Sequence, residues 1–486
     1  MDTIKFIVIV LIIVIAIIVL VVLLEKKQLK KHNIVCDNKV IPLTLLDRGA
    51  RILEPVQSRA IVVARYREDL DWLDRTETKC CNVYIYNKGE QLEYIHPDYN
   101  YIKLPNVGVC DHTYLYHIIE HYDNLEDVTI FLPASCTLKR KVEWRENVFL
   151  NYDNYHSYFT NVHTHNNLYS NTLDNYKVAD PRNRHNEVEK LTRCNIRPYG
   201  KWYERNVRDK FSNNIINYGG IFSLSREYIR RYPKSFYQNL ISYLDKDRLP
   251  EAAHYMERTW YNLFKLDLAI YTYFIGSDDN VANVVHNTPS TIFDCYYISN
   301  NRDTLKKAEA KGWITIYVDV TVEDDIIDSN LKGKYFKTLP HKIDKIKNYQ
   351  WTLFIDTKRY CNIEHVIGTC IQSDKTFNIV PHTNPIKPYL EKEITESFHQ
   401  DRYRLQKDKI LSYVHEQRKI YTHEPNTFFG TSIILRRTNH PKSIEICEKW
   451  FEHIQMCGIQ CQVAFYFITL MYEQHIGAMK RETFIK

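Results

Sequence analysis

The residues best placed to do chemistry sit where apolar runs end. Trp351-Thr352-Leu353-Phe354-Ile355 is a short buried-strand pattern closed by Asp356. In open α/β sheets, ligands bind beyond the carboxyl ends of the strands. A carboxylate there can hold a divalent cation, which in turn neutralises a diphosphate leaving group. An Asp also ends strands and opens turns with no such role. Taken alone, Asp356 reads as the second case. His163 and His165 form an H-x-H pair in a polar stretch, but two imidazoles do not complete a metal site. Cys457 and Cys461 are four apart and can share a helix face, and no C-x-x-C occurs among the 12 cysteines. Buried reduced thiols explain them best, with disulfides left open. No G-x-S-x-G elbow supports a serine nucleophile.

The elements that must position these residues follow from periodicity. Ala60–Ala64, Asn82–Asn87 and Val128–Leu132 read as three short strands, the last ended by Pro133. Helical patterns over Glu68–Asp74 and Thr113–Tyr122 lie between them. This order predicts a mostly parallel sheet covered on both faces. Residues 150–217 form a long insertion rich in Asn, Tyr and His. Asp278–Pro289 reads as a linker. A second α/β pattern then starts near Ser290, with strands at Ile292–Ile298, Thr315–Asp319 and Trp351–Ile355. A helix over Thr304–Lys311 is capped by Gly312.

Phe6–Leu24 has 19 residues without a polar side chain. At 1.5 Å per residue it spans about 28 Å, enough to cross a bilayer. Glu25-Lys26-Lys27 follows at once, so the run reads as a retained anchor rather than a cleaved signal. Lys26, Lys27, Lys30 and Lys31 place the body on the cytoplasmic side by the positive-inside rule. The absence of any N-x-[ST] sequon leans the same way, and a lumenal body stays open. The expected organisation is an anchor over 1–28, a tether over 29–57, one domain over 58–277 and a second over 288–486.

Composition excludes several classes. Thirteen glycines in 486 residues include no G-x-G-x-x-G and no P-loop. The charge, 65 basic against 59 acidic residues, is mild and spread out, so no nucleic-acid footprint is expected. The 37 tyrosines can stack on sugar rings, but a compositional bias that also enriches Asn, Ile and Lys accounts for most of them.

The context of Asp356 adds a resemblance. Lys337-Thr338-Leu339-Pro340-His341 and then Tyr349–Asp356 resemble the K-x-x-P-H and W/Y-I-D-G-N blocks of a glycosyltransferase-like family known from plant mucilage and pollen-tube proteins. Ile379–His382 leading to Tyr389, Glu391 and Glu393, Asn426–Arg437, and Trp450-Phe451 with Cys461–Phe465 are similar to its later blocks. The likeness covers roughly residues 290–475. It implies a GT-A fold and sugar transfer from a nucleotide-sugar donor, assisted by Mn²⁺ or Mg²⁺. It implies Asp356 as the metal or donor carboxylate, Lys337 and His341 near the donor, and His382 and Gln462 at the reaction centre. Two positions depart: D-G-N reads Asp356-Thr357-Lys358, and the acidic residue of R-D-Q is Cys461. Lys358 can then neutralise diphosphate in place of a metal.

Residues 58–265 resemble a second, uncharacterised glycosyltransferase-like family of fungi and large DNA viruses. The matching blocks are Val62–Trp72, Tyr86-Asn87-Lys88-Gly89, Leu104–Ile118, Tyr122–Leu132, Gly220-Ile221-Phe222 with Arg226, and Glu257–Trp260. The resemblance implies Arg65, Glu68, Asn106, His112 and Glu257 as substrate-binding residues. Its departures are Cys110 for a Glu and Pro133-Ala134-Ser135 for the expected Q-G end. Two expectations follow. One is a membrane-anchored transferase with two tandem GT-A-like domains, acting on a glycan or protein acceptor. The other is an inactive membrane or virion protein that binds glycans or partners on the same fold.

Overall fold

The computed structural model of the chain describes residues 48–52, 54–73, 78–174, 176, 191–207, 214–276, 285, 289, 293–323, 326–382 and 388–485, together with the strand pair Asn33–Cys36 and Lys39–Pro42. The apolar run 6–24 and most of the expected linker 278–289 lie outside them. Among the described residues no helix is long and apolar enough to cross a membrane. The chain divides into two units. One holds 58–150 and 158–263, and the other holds 264–486 with 49–57 and 151–157.

The first unit is built on a six-stranded sheet. Its strands are β1 (Arg59–Arg65), β2 (Asn82–Asn87), β3 (Asn100–Lys103), β4 (Val128–Pro133), β5 (Ser157–Phe159) and β6 (Phe222–Ser225), in the order β3-β2-β1-β4-β6-β5. The pairs β3–β2, β2–β1 and β1–β4 are parallel, and β4–β6 is antiparallel. Every residue of β4 is buried, as a near-continuous apolar run in a two-sided parallel sheet should be. Helix α1 (Val109–Glu120) follows Gly108, whose φ of +58° suits a residue without a Cβ. Helix α2 (Glu251–Phe264) closes the unit. The expected helix over Glu68–Asp74 is only a 3-10 turn at Asp71–Leu73. Glu68 Oε2 accepts the N–H groups of Tyr66 and Arg67, and Arg65 Nε donates to the Glu68 carbonyl. Those local bonds compete with helix formation.

The second unit holds seven strands: β7 (Leu268–Phe274), β8 (Asp294–Ser299), β9 (Ile314–Tyr317), β10 (Trp351–Ile355), β11 (Phe377–Pro381), β12 (Phe429–Arg437) and β13 (Ile476–Ala478). Their order is β9-β8-β7-β10-β12-β11-β13. The pairs β9–β8, β8–β7 and β7–β10 are parallel, while β12 runs antiparallel to β10 and β11. The first six strands repeat the relative order of the first sheet, so both units are mixed α/β with Rossmann-like sheets. The second unit's central strand, β7, lies upstream of the polar stretch, and the strand read at Ile292–Ile298 is its parallel neighbour β8.

Four helices matter for the site: α3 (Ile326–Thr338), α4 (Tyr389–Ser397), α5 (Asp401–Arg404) and α6 (Cys461–Tyr472). Helix α6, CQVAFYFITLMY, is apolar on nearly every face and sits in the core with Phe354, Phe377 and Trp450. Its first turn is what reaches the cavity. The last turn of α3 is held by Arg436 of β12. That guanidinium is fully buried and donates to the carbonyls of Lys337 at 2.6 Å and Thr338 at 3.1 Å.

Candidate functional site in the second unit

Beyond the carboxyl ends of β7 and β10 lies a cavity of about 1020 Å³. Ligand pockets typically measure ~300–1,000 Å³, so a nucleotide-sized molecule fits. Each wall comes from a different element. Tyr273 lies near the end of β7 and Gly276 just beyond it, Asp356 follows β10, Thr431 lies on β12, and Cys461 and Gln462 open α6. Lys334 and Lys337 point in from α3, three residues apart and therefore on one helix face.

Charge is what sets this cavity apart. Lys337 is 3% exposed, and its Nζ lies 3.7 Å from Asp356 Oδ1 and 5.0 Å from the Phe354 ring centre. Lys334 is 8% exposed, and among the described residues it forms no ion pair. Burial works against its ammonium, but Cys461, Tyr403 and Asp356 outweigh that and hold its pKa above the usual value. Lys358, Arg359 and Arg402 add cations at the rim. On the far wall, Glu393 of α4 accepts Gln460 Nε2 at 3.0 Å. Burial, with the neighbouring charge of Glu396, pushes the Glu393 carboxyl up to about 7.

Asp356, Lys337, Lys358, His382 and Gln462, five of the residues singled out in the sequence, line this one cavity. The N–H of Asp356 donates to Ser432 O at 2.9 Å, which fixes the carboxylate at the strand exit. Gln462 Oε1 accepts the Thr431 N–H at 3.5 Å. His382 packs against Phe428, with ring centres 5.2 Å apart. His341 lies elsewhere: it sits in a 3-10 turn after α3 and faces Glu448 at 3.4 Å. Sequence reasoning missed Lys334 and Glu393 as site residues. The i, i+3 spacing from Lys337 was the signal for the first. For the second no local signal exists, because its environment is made by Gln460, 67 residues away.

In the first unit the expected residues serve mainly as internal ties. Arg65 donates to Asn87 Oδ1 at 2.8 Å and to the carbonyls of Glu68 and Glu90 at 2.9 Å. Asn106 is half-buried in the loop before α1. His112 is buried, with no hydrogen-bond partner at Nδ1, and burial together with Lys88 lowers its pKa to about 4. Glu257 accepts the Gly219 N–H at 3.1 Å and faces His254 and Arg258 at 3.9 Å each. Its neighbour Asp111 is buried, and burial with the Glu257 charge raises its carboxyl to about 7.

The donor set does not fit a protein-held divalent cation. Among the described residues no three His, Cys, Asp or Glu side chains converge on a metal position. Asp356 is the carboxylate at the strand exit, and it already faces a buried ammonium. A second ammonium beside it would repel a cation.

Residues 61–272 match a family described as "Protein of unknown function (DUF3431)". No curated protein matches the chain. Among solved structures, the chain is similar to the bifunctional glycosyltransferase WbbM in its apo form, at 9% identity and TM-score 0.27, over 87% of this chain and 86% of that one. It is similar to the mannosyltransferase Ktr4p of S. cerevisiae at 9% identity and TM-score 0.24, over 41% of this chain and 62% of that one. A third is core-mannan synthase A of Aspergillus fumigatus in its Mn/GDP form, at 9% identity and TM-score 0.25, over 42% of this chain and 69% of that one. Scores of this size leave the fold to rest on the sheet topology itself.

Proposed function

We propose that the second unit binds a nucleotide-sugar donor in its cavity and transfers the sugar to a glycan or protein acceptor. The supporting observation is the pair of buried ammoniums, Lys334 and Lys337, beside Asp356 at the carboxyl end of a parallel sheet. The diphosphate lodges against the two lysines, which neutralise the charge it gains on leaving. Lys358 closes over it from the rim. Gln462 and His382 orient the sugar, and Asp356 fixes Lys337 and accepts hydrogen bonds from donor hydroxyls. Glu393, poised near neutral pH, takes the acceptor hydroxyl proton. The new C–O bond forms at the anomeric carbon as the bond to the phosphate oxygen breaks. No step requires a divalent cation.

The anchor at 6–24 holds this site at a membrane, with the body on the cytoplasmic side. For the first unit, the internal bonding of Arg65 and Glu68 favours a second reading, a non-catalytic surface for glycan or partner. The test is turnover. The full chain in detergent, offered a panel of nucleotide sugars, should release nucleoside diphosphate in the presence of EDTA, and Asp356→Ala should abolish that release. No release from any donor, with or without Mn²⁺, would remove the transferase reading.

A further inference from the structure

The turn between the helix that ends at Cys457 and α6 has a forced shape. Gly458 has a φ of +98°, and a Cβ there would collide with the Gln406 side chain. Gln406 Oε1 in turn accepts the Ile459 N–H at 2.8 Å. Beyond it, Trp450 Nε1 donates to the Cys461 carbonyl at 3.0 Å. Gln460, 4% exposed, sits between these two anchors and lines the cavity.

Both ends of the Gln460 amide are committed. Its Oε1 accepts the Gln462 N–H at 3.4 Å and caps α6. Its Nε2 donates to Glu393 Oε1 of α4 at 3.0 Å. The reverse orientation would set an NH₂ against an N–H and a carbonyl against a carboxylate, so the cap dictates which end meets Glu393. Gln462 continues the chain of contacts to β12 by accepting the Thr431 N–H. We propose that Gln460 is the positioning residue of this site: its amide holds Glu393 ionised on the cavity wall and ties it to the helix turn that carries Gln462. The inference rests on the reading of Glu393 as the group that takes the acceptor hydroxyl proton.

Opposing influences meet at Glu393. Burial and the charge of Glu396, one turn further along α4, push its carboxyl up, and the Gln460 amide opposes them. Arg402 and Tyr403 of α5, His382 after β11 and Cys461 of α6 line the same cavity. So do Lys334 and Lys337 of α3 and Asp356 after β10. All of these stay in place when residue 460 is replaced, so a change at Glu393 reports the amide. Two replacements separate its two roles. Gln460→Met removes both donor and cap. Gln460→Glu keeps an acceptor for the cap but sets a second carboxylate against Glu393, and two such groups then share a proton.

The experiment is residue-resolved coupling of glycinamide to carboxyls of the full-length chain with a water-soluble carbodiimide, between about pH 5 and 9, read by peptide mass spectrometry. The reagent adds to the protonated carboxyl, so loss of labelling follows ionisation. Exposed Glu309, outside the cavity, is the reference for reagent activity. Wild-type Glu393 is expected to lose its labelling around its raised pKa of about 7. Gln460→Met should move that midpoint up by about one pH unit, and Gln460→Glu by more, because a bond to the charged form is lost and, in the second variant, a like charge is gained. A role in capping alone would leave the Glu variant at the wild-type midpoint. A midpoint unmoved by both replacements overturns the inference, as does a Glu393 that labels at no pH. If Gln460→Met does not fold, Gln460→Glu decides. Turnover tests the underlying reading separately. In Gln460→Met, kcat should fall about fivefold at pH 7 and recover near pH 9, with KM for the donor unchanged. A shifted midpoint in a chain that turns over no donor keeps the bond between Gln460 and Glu393 and removes the transferase reading. Turnover with an unshifted midpoint does the reverse.

Discussion

Replacing Arg436 should loosen the helix that carries both lysines. The guanidinium is fully buried, and among the described residues no carboxylate pairs with it. Its partners are the Lys337 and Thr338 carbonyls, the Tyr271 hydroxyl at 2.6 Å and Cys447 Sγ at 3.5 Å. The two carbonyls belong to the last turn of α3, where a cation complements the helix dipole. Hydrogen bonds from a charged donor contribute about 1.5–3 kcal/mol each, so three oxygen partners amount to roughly 5–9 kcal/mol. Removing the charge recovers a desolvation cost of several kcal/mol. Arg436→Met should therefore destabilise the second unit by about 2–4 kcal/mol. Arg436→Lys should be no better, because it still buries a charge and loses the fork that spans two carbonyls. Urea titration followed by hydrogen exchange on peptides of α3 isolates this unit. A Met variant within about 0.5 kcal/mol of wild type, or full rescue by Lys, would refute the reasoning.

Other predictions follow from the buried carboxyls and the anchor. Asp111 has its carboxyl raised to about 7, so its protonated form favours the fold. Its contribution is complete below about pH 4 and is lost as pH rises through 7. Asp111→Asn keeps an acceptor for Trp260 Nε1 and should flatten the fall in melting temperature between pH 5 and 8. For Glu393, turnover should show an acidic limb with an apparent pKa near 7, and Glu393→Gln should remove that limb and cost about 10²–10⁴-fold in rate. In sealed membranes with the cytoplasmic face outward, added protease should degrade the C-terminal body. Its protection would contradict the proposed topology.

Much of the second unit was legible because β10 is a fully buried run closed by a carboxylate, a pattern that survives any tertiary context. The strand β7 was not. LAIYTYF follows an amphipathic helix and precedes a polar stretch, so it reads as the end of one unit rather than the centre of the next. Only its parallel pairing with β8 and β10, across 25 and 83 residues, assigns it. His341 illustrates the limit of carrying a role along a motif. Only three residues separate it from Lys337, yet the 3-10 turn at Pro340 sends it to Glu448. Lys334 and Glu393 were visible as letters, but their meaning depends on lining one cavity that no spacing encodes.

The central claim is that a diphosphate binds against Lys334 and Lys337 without a metal. Calorimetric titration of the full chain with nucleoside diphosphates in EDTA tests it directly. Saturable binding is predicted, weakened by about 30-fold or more in Lys337→Met, since a buried charged partner contributes about 2–5 kcal/mol. Binding that appears only with Mn²⁺, binding unchanged by Lys337→Met, or no heat with any nucleotide would contradict the account.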